Sequence, residues 1–151
     1  MIREIRIEDY GAVDKLMQQL HKVHVNGRPD LYVDLEHPYS KEEFEDLVEN
    51  DEVISVAAEV DERIVGICFV TMRNKSGMVP MRTAYMDDLV VDESYQRQGI
   101  AKALLEAVEK RTKELGAKRM DLMVWSFNEQ AKSLYESFGM TPQRFIYEKE
   151  L

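Results

Sequence analysis

Apolar residues recur along this chain with two periods, and the switches between them mark the elements. Residues 2 to 6, IREIR, alternate and predict a first strand. Asp9 then stands as a helix cap before Val13, Leu16, Met17 and Leu20, whose i, i+3, i+4, i+7 spacing makes one buried stripe. That helix runs out near Val25, with Asn26 and Gly27 as its stop. The next segment, GRPDLYVDLEHPY, has two prolines and no period, so it reads as a long loop with a short helical turn. Ser40 and Glu43 form a capping box for a second helix with Phe44 and Leu47 inward. Strands Val53 to Val60 and Arg63 to Arg73 follow, joined at Asp61-Glu62. GICFV in the second of them is continuously apolar, as in a strand buried on both faces.

After an exposed connection at 74–82 come a strand at 83–91 and a helix at 99–115. Leu104, Leu105, Val108 and Leu115 form that helix's inner stripe, and Gly116 caps its end. Residues 118–125 predict a strand, Asn128 to Phe138 a helix closed by Gly139, and Arg144 to Glu150 a last strand. Strands crowd the middle while strand–helix alternation fills the C-terminal half. A mixed central sheet with helices on both faces satisfies both. No internal repeat, low-complexity tract or linker divides the chain, so a single domain over 1–151 is expected.

Composition changes this picture little. At 44% hydrophobic and 32% charged, the 151 residues are those of a soluble globular domain. No apolar run approaches the roughly 20 residues that cross a bilayer, and MIREIRIEDY lacks the apolar core of a signal peptide. The single cysteine, Cys68, excludes an internal disulfide and fits a cytoplasmic location. It reads as a small buried hydrophobe rather than an acyl carrier. A net charge of −9 repels nucleic acid and anionic membranes and concentrates small cations, or simply keeps the surface soluble.

Candidate chemistry centres on residues 85–105, YMDDLVVDESYQRQGIAKALL: a strand, a tight polar turn and a helix start. Unused N–H groups at such a start hold anions, phosphate above all. Neither a P-loop nor a dinucleotide-binding glycine fingerprint is present. The run Gln96-Arg97-Gln98-Gly99-Ile100-Ala101, between strand and helix, resembles the acetyl-CoA-binding motif of the GCN5-related N-acetyltransferases (GNATs). A second segment, NEQAKSLYESFGM at 128–140, resembles the segment that follows in that family. The two motifs cover the C-terminal half of the chain.

The resemblance implies an α/β fold: a mixed, mostly antiparallel twisted sheet of six to seven strands flanked by about four helices. It implies that the backbone of Arg97, Gln98, Gly99, Ile100, Ala101 and Lys102 faces the pyrophosphate of acetyl-CoA. Ala101 stands where the family often has glycine. The Arg97 and Lys102 side chains add charge there or are ordinary solvated cations. Leu89, Val90 and Val91 would border the pantetheine arm, Leu89 and Val91 offering backbone groups. Asn128 is a helix cap, a cofactor contact, or both. Tyr135 is the implied acid: a phenol with a pKa of about 10 can protonate a departing thiolate. Its alternative role is to pack its ring on the core.

An alkylamine acceptor with a pKa of about 10.4 must lose a proton before it attacks. Asp87 aligns with the glutamate proposed as base in the polyamine enzymes of the family, and being shorter it would act through a water. Strand alternation lets only one of Asp87 and Asp88 face the cleft, and either can be a structural carboxylate. Asp88, His24, Tyr32 and Trp125 are candidate walls of the acceptor site. His21 and His24 share a helix face and are alternatively cations near a helix end. With only Cys68 and the distant His37 to join them, no metal site is expected. The implied activity is transfer of acetyl from acetyl-CoA to a primary amine of a small cation, by a homodimer. A protein N-terminus or lysine as acceptor, and a non-catalytic acyl-CoA sensor, are the alternatives.

Overall fold

The computed structural model describes residues 1–74 and 79–151. Five strands, β1 (Ile2–Glu4), β2 (Val53–Val60), β3 (Arg63–Asn74), β4 (Arg82–Val91) and β5 (Arg119–Leu122), form one sheet in chain order. The pairings are antiparallel through β4, and β4 with β5 is parallel. The helices are α1 (Tyr10–Gly27), α2 (Lys41–Glu49), α3 (Ile100–Glu114) and α4 (Glu129–Ser137), with short 3-10 turns at Ile7–Asp9 and Glu93–Tyr95.

Strand β3 shows why helices cover both sides. Its Ile67 and Phe69 pack with Val13, Leu16 and Met17 of α1 and Phe44 of α2. The alternate residues Cys68, Val70 and Met72 pack with Leu104, Leu105 and Val108 of α3. A period of two along a strand divides its side chains between two cores, so GICFV is apolar throughout. Local signals agree with this packing. Ser40 Oγ accepts from Glu43 N at 3.1 Å while Glu43 Oε1 accepts from Ser40 N at 3.1 Å, the expected capping box on α2. Gly116 and Gly139 end their helices at φ 89° and 93°.

Several boundaries differ from expectation. Strand β1 stops at Glu4. Asp9 precedes α1 without capping it, because its carboxylate binds the Arg3 guanidinium at 2.8 and 3.0 Å and Arg6 N at 2.7 Å. Gly27 lies inside α1 rather than stopping it, and a Cβ there would overlap the Phe127 ring. Strand β5 has four residues instead of eight, and residues 144–150 form no strand. Among the described residues the sheet therefore has five strands, not six or seven: a strand needs a ladder partner, and the outer edge of β5 pairs with none of them. In the expected connection, residues 75–78 lie outside the described residues; β3 reaches Asn74 and β4 begins at Arg82.

The β2–β3 turn carries a local conflict. Asp61 and Glu62 adopt φ of 49° and 62°, the left-handed pair that such hairpins need and that acidic side chains resist. Replacing Glu62→Gly should raise unfolding free energy by about 0.5–1 kcal/mol, as relief of the side-chain clash outweighs the added chain entropy. Urea unfolding with an unchanged slope checks this; a midpoint that stays put or falls contradicts it.

Candidate active site

A β-bulge decides where the paired aspartates point. Val70 lies opposite Met86 and Phe69 opposite Asp88, so Asp87 is an extra residue in β4. Such an insertion breaks the alternation and re-aims side chains. Ala84 and Met86 before it, and Leu89 and Val91 after it, all belong to the α3-side core. Val90 belongs to the α1/α2 side, with Asp88 two residues before it on the same face. Asp87 Oδ2 accepts from Thr71 Oγ1 at 2.5 Å, and Thr71 shares the side of Ile67 and Phe69. Both carboxylates thus face the α1/α2 layer, where regular alternation would have admitted only one.

The same point in β4 is where the sheet opens. Pairing with β5 runs from Thr83 opposite Arg119 to Met86 opposite Leu122 and ends. From Asp87 onward, no strand among the described residues lies beside that edge of β4. Leu89, Val90 and Val91 bury side chains in the two cores, so what they present at the open edge is backbone.

The turn beyond β4 leaves backbone amides unpaired. Asp92 Oδ1 accepts from Ser94 N at 2.8 Å, and Gly99 enters α3 at φ 77°. A Cβ on Gly99 would meet open space, so its freedom serves the turn rather than a close packing contact. Arg97 is left-handed too, at φ 64°, strain of a kind that gathers at ligand clamps. The first bond of α3 is Ala103 N to Gly99 O at 3.0 Å, which leaves the Ile100, Ala101 and Lys102 amides without helical acceptors. Gln98 and Lys102 are exposed, and Lys102 reaches Glu106 only at 3.9 Å. These residues and the open β4 edge suit a ligand with a phosphate group and an extended polar arm.

Helix α4 is linked to the turn by side chains. Asn128 caps it, with Oδ1 accepting from Ala131 N at 3.1 Å. Gln130 Nε2 donates to Gln96 Oε1 and Gln96 Nε2 to Val91 O, both at 3.3 Å, tying α4 to the turn. Tyr135 packs against the α3-side core. Burial, then Cys68 and Asp88, pushes its phenol up to about 12, so it stays protonated at neutral pH. Cys68 is fully buried and its thiol is pushed upward, which removes it as a nucleophile. Asp88 accepts from the Tyr39 hydroxyl at 2.5 Å, yet burial, reinforced by Asp87, raises its carboxyl to about 6. Burial also raises Asp87, opposed by Thr71 and by Arg73 at 4.0 Å.

A third group forms an aromatic wall from the end of α1, the loop at 28–40 and the chain past β5. Tyr32 stacks on His24 at 5.1 Å and meets Trp125 edge-on at 5.8 Å, and Trp125 Nε1 donates to Tyr32 Oη at 2.8 Å. Burial, with His21 adding, lowers the His24 pKa, so its ring is neutral at pH 7 rather than a helix-end cation. His37 is elsewhere, with Nδ1 2.8 Å from Asp14 Oδ2. Sequence reading missed Tyr39, the two glutamines, and Arg28, whose guanidinium lies 5.1 Å over the Trp125 ring. Tyr39 had a signal, since it precedes the capping Ser40 and shares a core with Phe44, the spacing of a hydrophobic staple, and Gln96 and Gln130 lie within the two motifs that carry the family resemblance.

Among the described residues, no cluster of three or more His, Cys, Asp or Glu could hold a metal, and no helix is long and apolar enough to cross a membrane. The chain is similar across its whole length to the BH1408 protein of Bacillus halodurans, in a crystal structure of a mutant form, with TM-score 0.96 at 28% identity over 100% of this chain and 99% of that one. An uncharacterized N-acetyltransferase, YdgE, of Bacillus subtilis is 31% identical over 72 residues, 48% of this chain and 46% of that protein. The L-ornithine N5-acetyltransferase NATA1 of Arabidopsis thaliana is 38% identical over 55 residues, 36% of this chain and 24% of the plant protein. The chain thus spans about half the length of the first curated relative and about a quarter of the second. The family model described as Acetyltransferase (GNAT) family matches residues 15–140, a span holding the bulged strand, the turn and Tyr135, and the chain belongs to that family.

Proposed function

We propose that the protein transfers acetyl from acetyl-CoA, the acyl donor of its family, to a primary amine of a small cationic acceptor in a ternary complex. The observation that carries this reading is the opening of the sheet at Asp87, with two carboxylates on the α1/α2 side and a protonated phenol packed on the α3-side core. The amides of Arg97 to Lys102 would hold the pyrophosphate, helped by the α3 dipole, and the backbone at Leu89 to Val91 would hold the pantetheine arm. Asn128 would join them through the amide group that its cap leaves over. A polyamine, a diamine or an amino compound fits the net charge of −9, the aspartate pair and the neutral aromatic wall of His24, Tyr32 and Trp125. The partial match to an ornithine acetyltransferase supports an amine of this size. A cytoplasmic homodimer completes the reading; a single buried cysteine suits a reducing compartment.

In this mechanism Asp88 accepts a proton from the acceptor ammonium, directly or through a water, with Asp87 beside it. The freed nitrogen forms a bond to the acetyl carbon as the carbon–sulfur bond breaks. Tyr135 donates its proton to the departing sulfur, and the second proton shed by the attacking nitrogen returns, through water, to the Tyr135 phenolate. Most of the acceleration comes from holding the two substrates in line.

Purified protein mixed with acetyl-CoA and a panel of polyamines, diamines, amino acids and lysine peptides should release free thiol with small cationic amines. Thiol release only with peptides moves the acceptor to protein, and cofactor binding without release above hydrolysis leaves a sensor. Tyr135→Phe should lower kcat by about 10²–10⁴-fold with acetyl-CoA affinity retained; an unchanged kcat returns Tyr135 to a packing role. The rate should fall as pH drops through about 6, because protonated Asp88 cannot accept the acceptor's proton. Asp87→Asn should shift that limb to lower pH by removing a charge that raises Asp88, and Asp88→Asn should abolish it. A limb unmoved by both contradicts the assignment.

A further inference from the structure

Asp88 is held at one carboxylate oxygen and open at the other. Tyr39 Oη donates to its Oδ2 at 2.5 Å. Among the described residues no donor engages Oδ1, and that atom is not sealed from solvent as the unpartnered Asp14 Oδ1 is. A carboxylate presented in this way has one oxygen free to take a proton.

Tyr39 is fixed by contacts that do not involve Asp88. Its carbonyl accepts from Tyr10 Oη at 2.7 Å, and the Tyr10 ring leans on Phe44 at 5.3 Å. Its own ring meets Phe69 edge-on at 6.0 Å, and Phe69 is the ladder partner of Asp88. The next residue, Ser40, is locked at the start of α2 by its capping box. Upstream, the segment 28–38 follows α1, with His21 Nε2 2.6 Å from Val33 O and His37 Nδ1 2.8 Å from Asp14 Oδ2. A phenylalanine would satisfy all of the packing at position 39. The hydroxyl adds one hydrogen bond among the described residues, and it goes to Asp88.

We infer that Tyr39 is a positioning residue for acetyl transfer, its hydroxyl fixing Oδ2 of Asp88 and leaving Oδ1 for the acceptor amine. The inference rests on the reading of Asp88 as the base. Tyr39 neither gains nor loses a proton in the step: its own proton stays in the bond to Oδ2 while Oδ1 takes one from the ammonium. Burial and the Asp88 charge push the Tyr39 phenol upward, so it remains a donor throughout. The groups facing this pair are Asp87 of β4, the Cys68 thiol of β3, Tyr135 of α4, Glu43 of α2 and, beside Tyr10 on α1, Asp14. None of these is a cation, and Arg73 pairs with Asp87 at 4.0 Å rather than with Asp88. Tyr39 is therefore the group that favours the charged form of Asp88, against burial and Asp87.

Tyr39→Phe keeps the ring and removes the hydroxyl. With that donor gone the Asp88 carboxyl titrates higher, so the acid limb of kcat/KM should move to higher pH by about one unit. The variant should be about tenfold slower than the unmodified enzyme at pH 5 and within about twofold of it at pH 9, with circular dichroism and acetyl-CoA affinity retained. A packing role alone leaves the limb in place. If Asp88→Asn abolishes the limb and folded Tyr39→Phe does not move it, the inference is overturned and the proposed reaction stands. If the unmodified protein releases thiol with no amine, the reaction fails and the inference fails with it. Carbon-13 NMR titration reads the same coupling without turnover: the Asp88 Cγ midpoint should rise by about one unit in Tyr39→Phe, and equal midpoints overturn the inference. Should the variant not fold, the Tyr39 Cζ signal of the unmodified protein should shift at the Asp88 midpoint; a signal flat through that midpoint overturns it.

Discussion

The loss of pairing between β4 and β5 after Met86 is the constraint on which the rest of this molecule depends. Backbone groups of a central strand are ordinarily satisfied on both sides, and leaving one edge unpaired costs stability unless water or a ligand takes its place. Here the opening coincides with the extra residue Asp87, so one irregularity in β4 both ends the ladder's regular alternation and turns two carboxylates to one side. The β3 pairing holds β4 firmly through Asn74 opposite Arg82 and Gly66 opposite Val91, so the open edge is a rigid template rather than a frayed end.

Around that template the charges are arranged in opposition. The amides of the first turn of α3 lack helical acceptors, where the proposed donor would place its anionic end, while Asp87 and Asp88 face the α1/α2 layer. Burial raises both Asp88 and Tyr135 by disfavouring their charged forms, with opposite consequences. It brings the carboxyl close to physiological pH, where it can exchange a proton, and it keeps the phenol an acid. On the proposed mechanism, one effect of burial therefore suits one group to act as a base and the other as an acid.

Much of this was legible in the order of residues. The alternating and helical periods located every helix and four of the five strands to within a residue or two, because those elements are held by a buried face that the periods report. The capping box at Ser40 and the glycines at 116 and 139 were equally plain, since local backbone chemistry suffices there. The bulge was not, because nothing in YMDDLVV distinguishes a regular strand from one with an inserted residue. Asp9 misled because Arg3, six residues away, outcompeted the helix amides for its carboxylate. The apparent last strand at 144–150 carries the right residues but finds no ladder partner among the described residues. The aromatic residues His24, Tyr32 and Trp125 were singled out one by one as candidate acceptor walls, whereas the hydrogen bond between Trp125 and Tyr32 spans 93 positions and belongs to the fold alone.

The most direct test of this account is a crystal structure of the protein with bound CoA or a non-reactive acetyl-CoA analogue. The account predicts the pyrophosphate within hydrogen-bond reach of the amides from Arg97 to Lys102, the pantetheine arm along the free edge of β4 at Leu89 to Val91, and the sulfur near Tyr135. A cofactor seated away from that edge, or a β5 that closes against β4 beyond Met86, would contradict it.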